Sequence, residues 1–460
     1  MRPLIGLMAM LSLNACAATL PQQQELPQES TEPHTLEKQK ETLPDFDIRP
    51  LPGQLNTHPV WYSNRPELLT TPGAILSTQD LSSVPILTGR FSAFTHHVVE
   101  TQPLDFSDFR LGLLASAPQN TVLHLEQVYF ARTRPEALFI DTPQVTPQTG
   151  SLWSGPGDAM AFQRLQGIPQ QALIPPSHFA LNEDQEILLF ELPIPTDPWH
   201  IAPRRNGLSL WLDAHSDQPI HLRWVAIKQN GPGTLADYQA AAKAPAGPAE
   251  LPATQYDPAG KPPGGSFRFG RVAGLVQGSQ WQGTYTLTPA DWQKLKKGQA
   301  LAWPISSTYL KRWGTEQNQS APIAFKTPES AVESHGNYGV SYEVSYRLSN
   351  PEATSQTLKL RWSQPSTHQS QANPPFVYHP EAQVVFRGTI AVRTSSDKTT
   401  EYIHLQTRRG VWPEAFYQVE LAPQETKTLT LSWVYPPDAI PPQLLSLERI
   451  SNKVEVEKKP

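Results

Sequence analysis

The residue types best suited to metal or acid–base chemistry occur together in segment 95–100, which reads Thr-His-His-Val-Val-Glu. Histidine and carboxylate side chains are common zinc ligands. Successive side chains of a β-strand point to opposite faces, so in a strand His97 would point away from the face that carries Glu100. We therefore interpret the segment as a partly buried strand end with hydrogen-bonded histidines. The alternative is a weak ligand site that combines His97 and Glu100 with His335, which lies far along the chain.

Other sequence signatures of catalysis are missing from the chain. It contains no nucleophile-elbow serine, no phosphate-binding glycine loop, no paired-histidine zinc helix and no calcium loop. Segment 154–158 has one carboxylate, whereas calcium takes about six to eight oxygens, so we predict a tight turn there. Segment 270–281 lacks the strand–turn–helix setting of a phosphate loop and is predicted to be a bent strand. We expect no cofactor and no bound metal.

Cys16 is the only cysteine in 460 residues, and it follows the apolar run 4–13. The run is shorter than the about 20 residues that span a bilayer, and it is typical of a bacterial export signal. The ending Leu-Asn-Ala-Cys indicates a lipobox, in which Cys16 is acylated and becomes the mature N-terminus. The alternative is ordinary signal cleavage and release of the free protein. Both interpretations predict export, and a single cysteine excludes a disulfide framework.

Residues 17–47 are rich in Gln, Glu, Pro and Thr, with seven acids against two lysines. Their net charge of −5 equals that of the whole chain, so the remainder is nearly neutral. A segment with so few apolar residues is predicted to be a disordered acidic tether between lipid and folded body. The near-neutral body lacks the basic face that nucleic acid requires, so we expect no nucleic-acid partner.

The composition favours strands over helices, because proline makes up 48 of 460 residues and is costly inside helices. Apolar and polar residues alternate in segments 122–130, 220–224, 358–362 and 429–433, and a turn-forming stretch precedes each of them. The sequence therefore predicts an all-β fold with two antiparallel β-sandwich lobes, Ig-like or jelly-roll-like, and a few short helices.

The predicted boundaries follow from changes in composition along the chain. They are an export signal with a lipobox at 1–16, the tether at 17–47, a first lobe at 48–243, a Pro/Gly-rich linker at 244–265, a second lobe at 266–451 and a charged tail at 452–460. Short helices are predicted within 233–243 and 288–298, each with a threonine N-cap. Most of the 12 tryptophans lie on alternating segments and are predicted to be core residues rather than a sugar-stacking platform.

Several phrases together resemble a family of exported cyanobacterial proteins of unknown function, domain of unknown function 3370. The phrases lie at 49–55, 154–158, 270–281, 334–340, 386–389, 406–410 and 435–439. The resemblance covers nearly everything after residue 48 and implies a cyanobacterial envelope setting. It implies no activity, cofactor or catalytic residue.

These observations predict an exported, lipid-anchored envelope protein with a non-catalytic binding or scaffolding role. Its expected partners are the membrane, through the anchor, and an envelope glycan or protein. The first alternative is an enzyme that acts on envelope polysaccharide through carboxylates from separate loops. The second is a subunit of a larger envelope assembly, which would expose an apolar patch of about several hundred Å².

Overall fold

The computed structural model describes most of the chain after residue 42. The described ranges are 43–83, 86–100, 104–133, 141–150, 155–170, 177–195, 205–247, 270–307, 313–366, 376 and 383–450. Cys16, the tether up to residue 42, linker residues 248–265 and the charged tail lie outside these ranges, so what the sequence predicts for them stays a prediction. In the ranges that are described, no helix has the length and apolar character needed to cross a bilayer.

The described residues are mostly β-structure, which confirms the predicted β-rich class. The strands of the N-terminal half are β1 (Phe46–Ile48), β2 (Gln54–Leu55), β3 (Pro59–Ser63), β4 (Leu68–Leu69), β5 (Gly73–Ser77), β6 (Leu87–Glu100), β7 (Asp108–Ser116), β8 (Thr121–Arg132), β9 (Val145–Pro147), β10 (His178–Leu181), β11 (Ile187–Ile194) and β12 (Arg205–Gln229). Those of the C-terminal half are β13 (Ala273–Gln277), β14 (Gln280–Thr286), β15 (Ala300–Ile305), β16 (Ala321–Lys326), β17 (Glu333–Ser334), β18 (Ser341–Ser349), β19 (Gln356–Ser363), β20 (Val384–Thr394), β21 (Glu401–Arg408), β22 (Tyr417–Leu421), β23 (Thr426–Val434) and β24 (Gln443–Arg449). All four alternating segments lie within strands.

The helices are α1 (Pro156–Gln166), α2 (Leu235–Ala241) and α3 (Pro289–Lys296), with a 3-10 turn at Thr78–Asp80. Helices α2 and α3 confirm the two predicted helices, and Thr234 and Thr288 cap them as expected. Helix α1 corrects the predicted tight turn at 154–158. Pro156 occupies its first turn, where a missing N–H costs nothing, and Gly167 ends it with a φ of 67°.

The strands form three sheets. Sheet I has 12 strands, with a path β10-β8-β12-β6-β3-β13-β16-β17 to which β4, β5, β7 and β11 are added. Sheet II has 7 strands, in the order β2-β14-β18-β23-β20-β21-β9, and sheet III has 5, in the order β1-β15-β24-β19-β22. The sheets are mixed, so the expectation of purely antiparallel pairing is wrong for four pairs: β1–β15, β14–β18, β3–β6 and β4–β6 are parallel.

Strand pairing crosses the predicted boundary between the halves. From the N-terminal half, β1 joins sheet III, and β2 and β9 join sheet II; from the C-terminal half, β13, β16 and β17 join sheet I. The described residues from Pro44 onward belong to one compact unit. The two halves are therefore connected by hydrogen-bonded strands.

Large apolar residues fill the space between the sheets. One hydrophobic cluster combines Trp303 and Trp362 of sheet III with Tyr346 and Trp433 of sheet II. Their rings touch across this core, with centroids 4.9 Å apart for Trp303–Tyr346 and 5.3 Å for Trp362–Trp433. Eight tryptophans are fully buried, which confirms that most of them are core residues: Trp61, Trp211, Trp224, Trp292, Trp303, Trp313, Trp362 and Trp433.

Candidate functional site

His97 lies within β6, whose residues 91–97 are all buried. Its Nδ1 donates to the Pro66 carbonyl at 2.8 Å, and its Nε2 lies 3.4 Å from the Ser63 hydroxyl. Burial lowers the pKa of His97 to about 3, so the ring is neutral at physiological pH. His96, on the opposite face, is also buried and lies 2.8 Å from the Ser209 hydroxyl. Both histidines are hydrogen-bonded, and they are more deeply buried than a strand end suggests.

Glu100 and His335 have surroundings different from those of His97. Glu100 is the exposed last residue of β6, opposite Arg205 of β12. His335 follows β17, and its Nδ1 lies 3.4 Å from the Ser320 hydroxyl. Burial lowers the pKa of His335 to about 4. Within the described ranges, no group of three or more His, Cys, Asp or Glu residues could hold a metal ion.

A polar cleft of about 450 Å³ opens on sheet I, next to the loops that precede β3 and β14. Strands β6, β8 and β12 supply its floor. The polar cleft is lined by Asn56, His58, Arg90, Phe91, Ser92, Glu126, Gln127, Asp213, Ala214, Ser279 and Gln280. The cleft therefore combines residues from both halves of the chain.

Hydrogen bonds fix the centre of the polar cleft. The Ser92 hydroxyl donates to Asp213 Oδ1 at 2.6 Å, and Trp211 Nε1 donates to the same oxygen at 2.9 Å. His58 Nε2 lies 2.9 Å from the Ser92 oxygen. Because the single hydroxyl proton of Ser92 goes to Asp213, the His58 ring must act as the donor in this contact. A serine nucleophile requires a histidine that accepts its hydroxyl proton. Here the proton goes to Asp213 and His58 donates to Ser92, so these hydrogen bonds do not activate Ser92.

Both signs of charge line the cleft. Arg90 and Glu126 form an ion pair of 3.2 Å, and the Arg90 side chain is 74% exposed. Burial lowers the pKa of His58, and the nearby Asp213 carboxylate partly opposes this shift. Cationic, anionic and amide groups therefore line the cleft together with two buried serines, Ser92 and Ser279, and no one sign of charge dominates.

A second polar arrangement is buried between α1 and sheet II. His404 Nε2 and Asp158 Oδ2 lie 2.9 Å apart, with side chains 0% and 1% exposed. Asp438 accepts a hydrogen bond from the Asp158 backbone N–H, and burial followed by the Asp158 charge raises the Asp438 pKa. A Cβ on Gly157 would lie only 2.6 Å from Asp438 Oδ2. Residues from three of the family phrases therefore lie near this contact: Asp158 from 154–158, Arg387 from 386–389 and Asp438 from 435–439. The charge of Arg387 partly opposes the rise in the Asp438 pKa.

Sequence reasoning did not find the polar cleft. His58, Ser92 and Asp213 have no motif spacing, and none of them lies in a segment whose alternation predicts a strand. Pairing of β6 with β12 puts Ser92 directly opposite Asp213. The missing signal was the strand register, which a single sequence does not supply.

The fold and the cleft define a β-sheet protein with an open polar cleft and a buried histidine–carboxylate contact. The chain belongs to the family described as "Protein of unknown function (DUF3370)", whose model matches residues 46–449. This confirms the predicted family; a cyanobacterial origin stays a prediction.

Comparisons with other proteins add no further argument. No curated protein matches the chain. One solved structure, of the N-terminal CBM22-1-CBM22-2 tandem domain from Paenibacillus barcinonensis Xyn10C, is 10% identical over 85% of this chain and 94% of that chain. Its TM-score of 0.12 is too low to indicate a shared fold.

Proposed function

We propose that this chain is an exported, lipid-anchored cell-envelope protein that binds a hydroxyl-rich glycan in the polar cleft and does not turn it over. The observation that carries the proposal is the fixed Ser92–Asp213 hydrogen bond at the centre of an open, mixed-charge cleft. Pre-ordered donors and acceptors suit sugar hydroxyls, which both donate and accept.

The surface composition supports recognition by polar groups. The exposed large hydrophobic residues of the described ranges are Leu43, Leu104, Phe106, Val122, Ile168 and Phe325. This set contains no tryptophan or tyrosine, and none lines the polar cleft. In the cleft, affinity would come from hydrogen bonds, and we expect modest affinity for one sugar unit and stronger binding to a polymer.

The second candidate function is hydrolysis of an envelope polysaccharide. It is favoured by one observation: two carboxylates from separate strands, Glu126 of β8 and Asp213 of β12, line the same cleft. Glycoside hydrolases use such a pair as acid and base or nucleophile. Against this role, Asp213 already accepts two hydrogen bonds and Glu126 pairs with Arg90.

A sedimentation experiment separates the two functions. Purified protein is mixed with insoluble peptidoglycan and with soluble envelope polysaccharide, and both bound protein and released sugar are measured. We expect binding without product release, and at least about tenfold weaker binding for Asp213→Asn, whose amide alters the acceptor at the centre of the cleft. Released oligosaccharide that disappears in Glu126→Gln would support the enzyme. Unchanged binding in Asp213→Asn would overturn the cleft as the binding site.

Localisation and anchoring are tested by fractionation of cells that carry wild type or Cys16→Ser. We expect the wild type in a membrane fraction and the variant in a soluble exported fraction. If both forms stay in the same membrane fraction, Cys16 is not the anchor.

We also propose that the two lobes are β-sandwiches. The support in the C-terminal half is the single core shared by sheets II and III. In the N-terminal half, β12 pairs with β8 up to Ser216, with β6 up to Ile220, and with β5 and β7 after Ile220. Side chains from both stretches of β12 share one core. Hydrogen–deuterium exchange should protect each pair of layers as a unit.

A further inference from the structure

Three histidines that are far apart in sequence form a row on sheet I. His178 of β10 lies directly opposite His124 of β8, and His124 lies directly opposite His215 of β12. The ring centroids are 6.4 Å apart for His124–His178 and 6.1 Å for His124–His215. An open cleft of about 610 Å³ is lined by His124, His215 and Glu126, so these rings face solvent. The proposed glycan function does not use this row.

The backbone brings one pair especially close. Leu125 donates its N–H to the Ser177 carbonyl at 2.8 Å, so Leu125 and Ser177 form a hydrogen-bonded pair. In antiparallel strands such pairs alternate with non-hydrogen-bonded pairs, whose Cα atoms are about 4.5 Å apart. His124 and His178 are therefore a non-hydrogen-bonded pair, the type in which the Cα atoms approach more closely.

We propose that His124, with one of its two cross-strand neighbours, chelates a divalent transition metal such as Cu²⁺, Ni²⁺ or Zn²⁺. Imidazole is a preferred ligand of these ions. A metal–nitrogen bond of about 2.0–2.1 Å requires the two ligating nitrogens to lie within about 4 Å of each other. Exposed side chains change rotamer on a ps–ns timescale, so the rings can turn their nitrogens inward from the present separation. Because no three-ligand group exists in the described ranges, water completes the coordination.

The charges around the row favour a cation. Asp217 Oδ1 lies 3.2 Å from His215 Nε2, which leaves Nδ1 of that ring for the metal. A carboxylate behind a ligating imidazole orients the ring and increases its basicity. Arg90, opposite His215, is paired with Glu126, so its charge is largely offset.

The test is metal titration of the protein without a polyhistidine tag, by calorimetry with Zn²⁺ and by electron paramagnetic resonance with Cu²⁺. We expect His124→Gln to lose one equivalent of bound metal, or to bind it at least about tenfold more weakly. The matched control is His221→Gln, which replaces another β12 histidine outside the row and should bind as wild type does. Unchanged thermal unfolding of both variants shows that the fold is intact.

Single variants identify the second ligand. Loss of metal binding in His178→Gln, in His215→Gln or in both identifies the second ligand. The Cu²⁺ spectrum of the same variant should lose the coupling to one nitrogen. Wild-type binding by His124→Gln would overturn the inference. Wild-type binding by both His178→Gln and His215→Gln would overturn the cross-strand chelate as well.

Discussion

The polar cleft and the buried contact between α1 and sheet II are built from the same residue types. In the cleft, the buried Ser92 hydroxyl is hydrogen-bonded to Asp213 and His58, whose side chains are partly exposed to solvent. In the buried contact, Asp158 and His404 are fully enclosed, and the Asp438 carboxylate accepts the N–H at the start of α1. A carboxylate at a helix N-terminus is stabilised by the helix dipole.

The comparison shows that solvent exposure decides whether a histidine–carboxylate arrangement contributes mainly to stability or can take part in recognition. An enclosed histidine–carboxylate contact cannot reach a ligand, but its removal leaves an unpaired polar group in a dry interior, which costs free energy. The contact therefore holds α1 of the N-terminal half against β21 of the C-terminal half. In the cleft, water replaces a lost partner, so stability suffers less and recognition suffers more.

The largest effect is expected for Asp158→Ala. It leaves the buried His404 ring without its hydrogen-bond partner, and an unsatisfied buried polar group of this kind costs about 2–3 kcal/mol. Urea denaturation at pH 7 should show the midpoint falling with little change in slope. A loss below about 1 kcal/mol would mean that the contact does not hold the two halves together.

The second-largest effect is the pH dependence of stability that arises from buried histidines. The pKa of His335 is about 4 in the folded protein against an ordinary 6.5, so the unfolded chain takes up the proton first as pH falls. Stability should therefore fall below about pH 6.5, by about 2 kcal/mol at pH 5 from this residue. His335→Gln should flatten this fall in a series of urea denaturations between pH 7 and pH 5. A fall as steep as that of the wild type would contradict the assignment.

A smaller stability effect is expected in the cleft. Ser92→Ala removes a hydrogen bond that water can replace, so unfolding should change by about 1 kcal/mol. The amount of protein that sediments with the glycan should fall strongly, because the Asp213 carboxylate loses the contact that orients it. The comparison would break down if Ser92→Ala destabilised the protein as strongly as Asp158→Ala.

The smallest effect is expected for Asp141→Ala, the matched surface control for Asp158. Asp141 pairs with Arg408 of β21 at 2.9 Å, but its side chain is 70% exposed. Exposed pairs contribute about 0–1 kcal/mol, so thermal unfolding should barely move. Asp141 Oδ1 also accepts from Gln406 Nε2, so a large loss would show that the β9 edge of sheet II depends on Asp141 and its two partners.

Much of the local structure could be predicted from the sequence. The alternation at 429–433 lies within β23, and α2 and α3 begin at the threonine caps that predict them. These features depend on neighbouring residues and on one buried face, which short stretches of sequence record directly. Helix α1 was missed because Gly155, Pro156 and Gly157 are typical of turns. Gly157 is in fact suited to the close approach of Asp438, which lies far away in sequence.

The sequence by itself determined the β-rich class, the positions of many strands, two capped helices and the burial of most tryptophans. It did not determine which strands pair. Only the tertiary structure places β1, β2 and β9 in the sheets of the other half, and sets Ser92 opposite Asp213 and His124 between two histidines. The physical reason is that periodicity records which face of a strand is buried, whereas partner and register are set by contacts between residues distant along the chain.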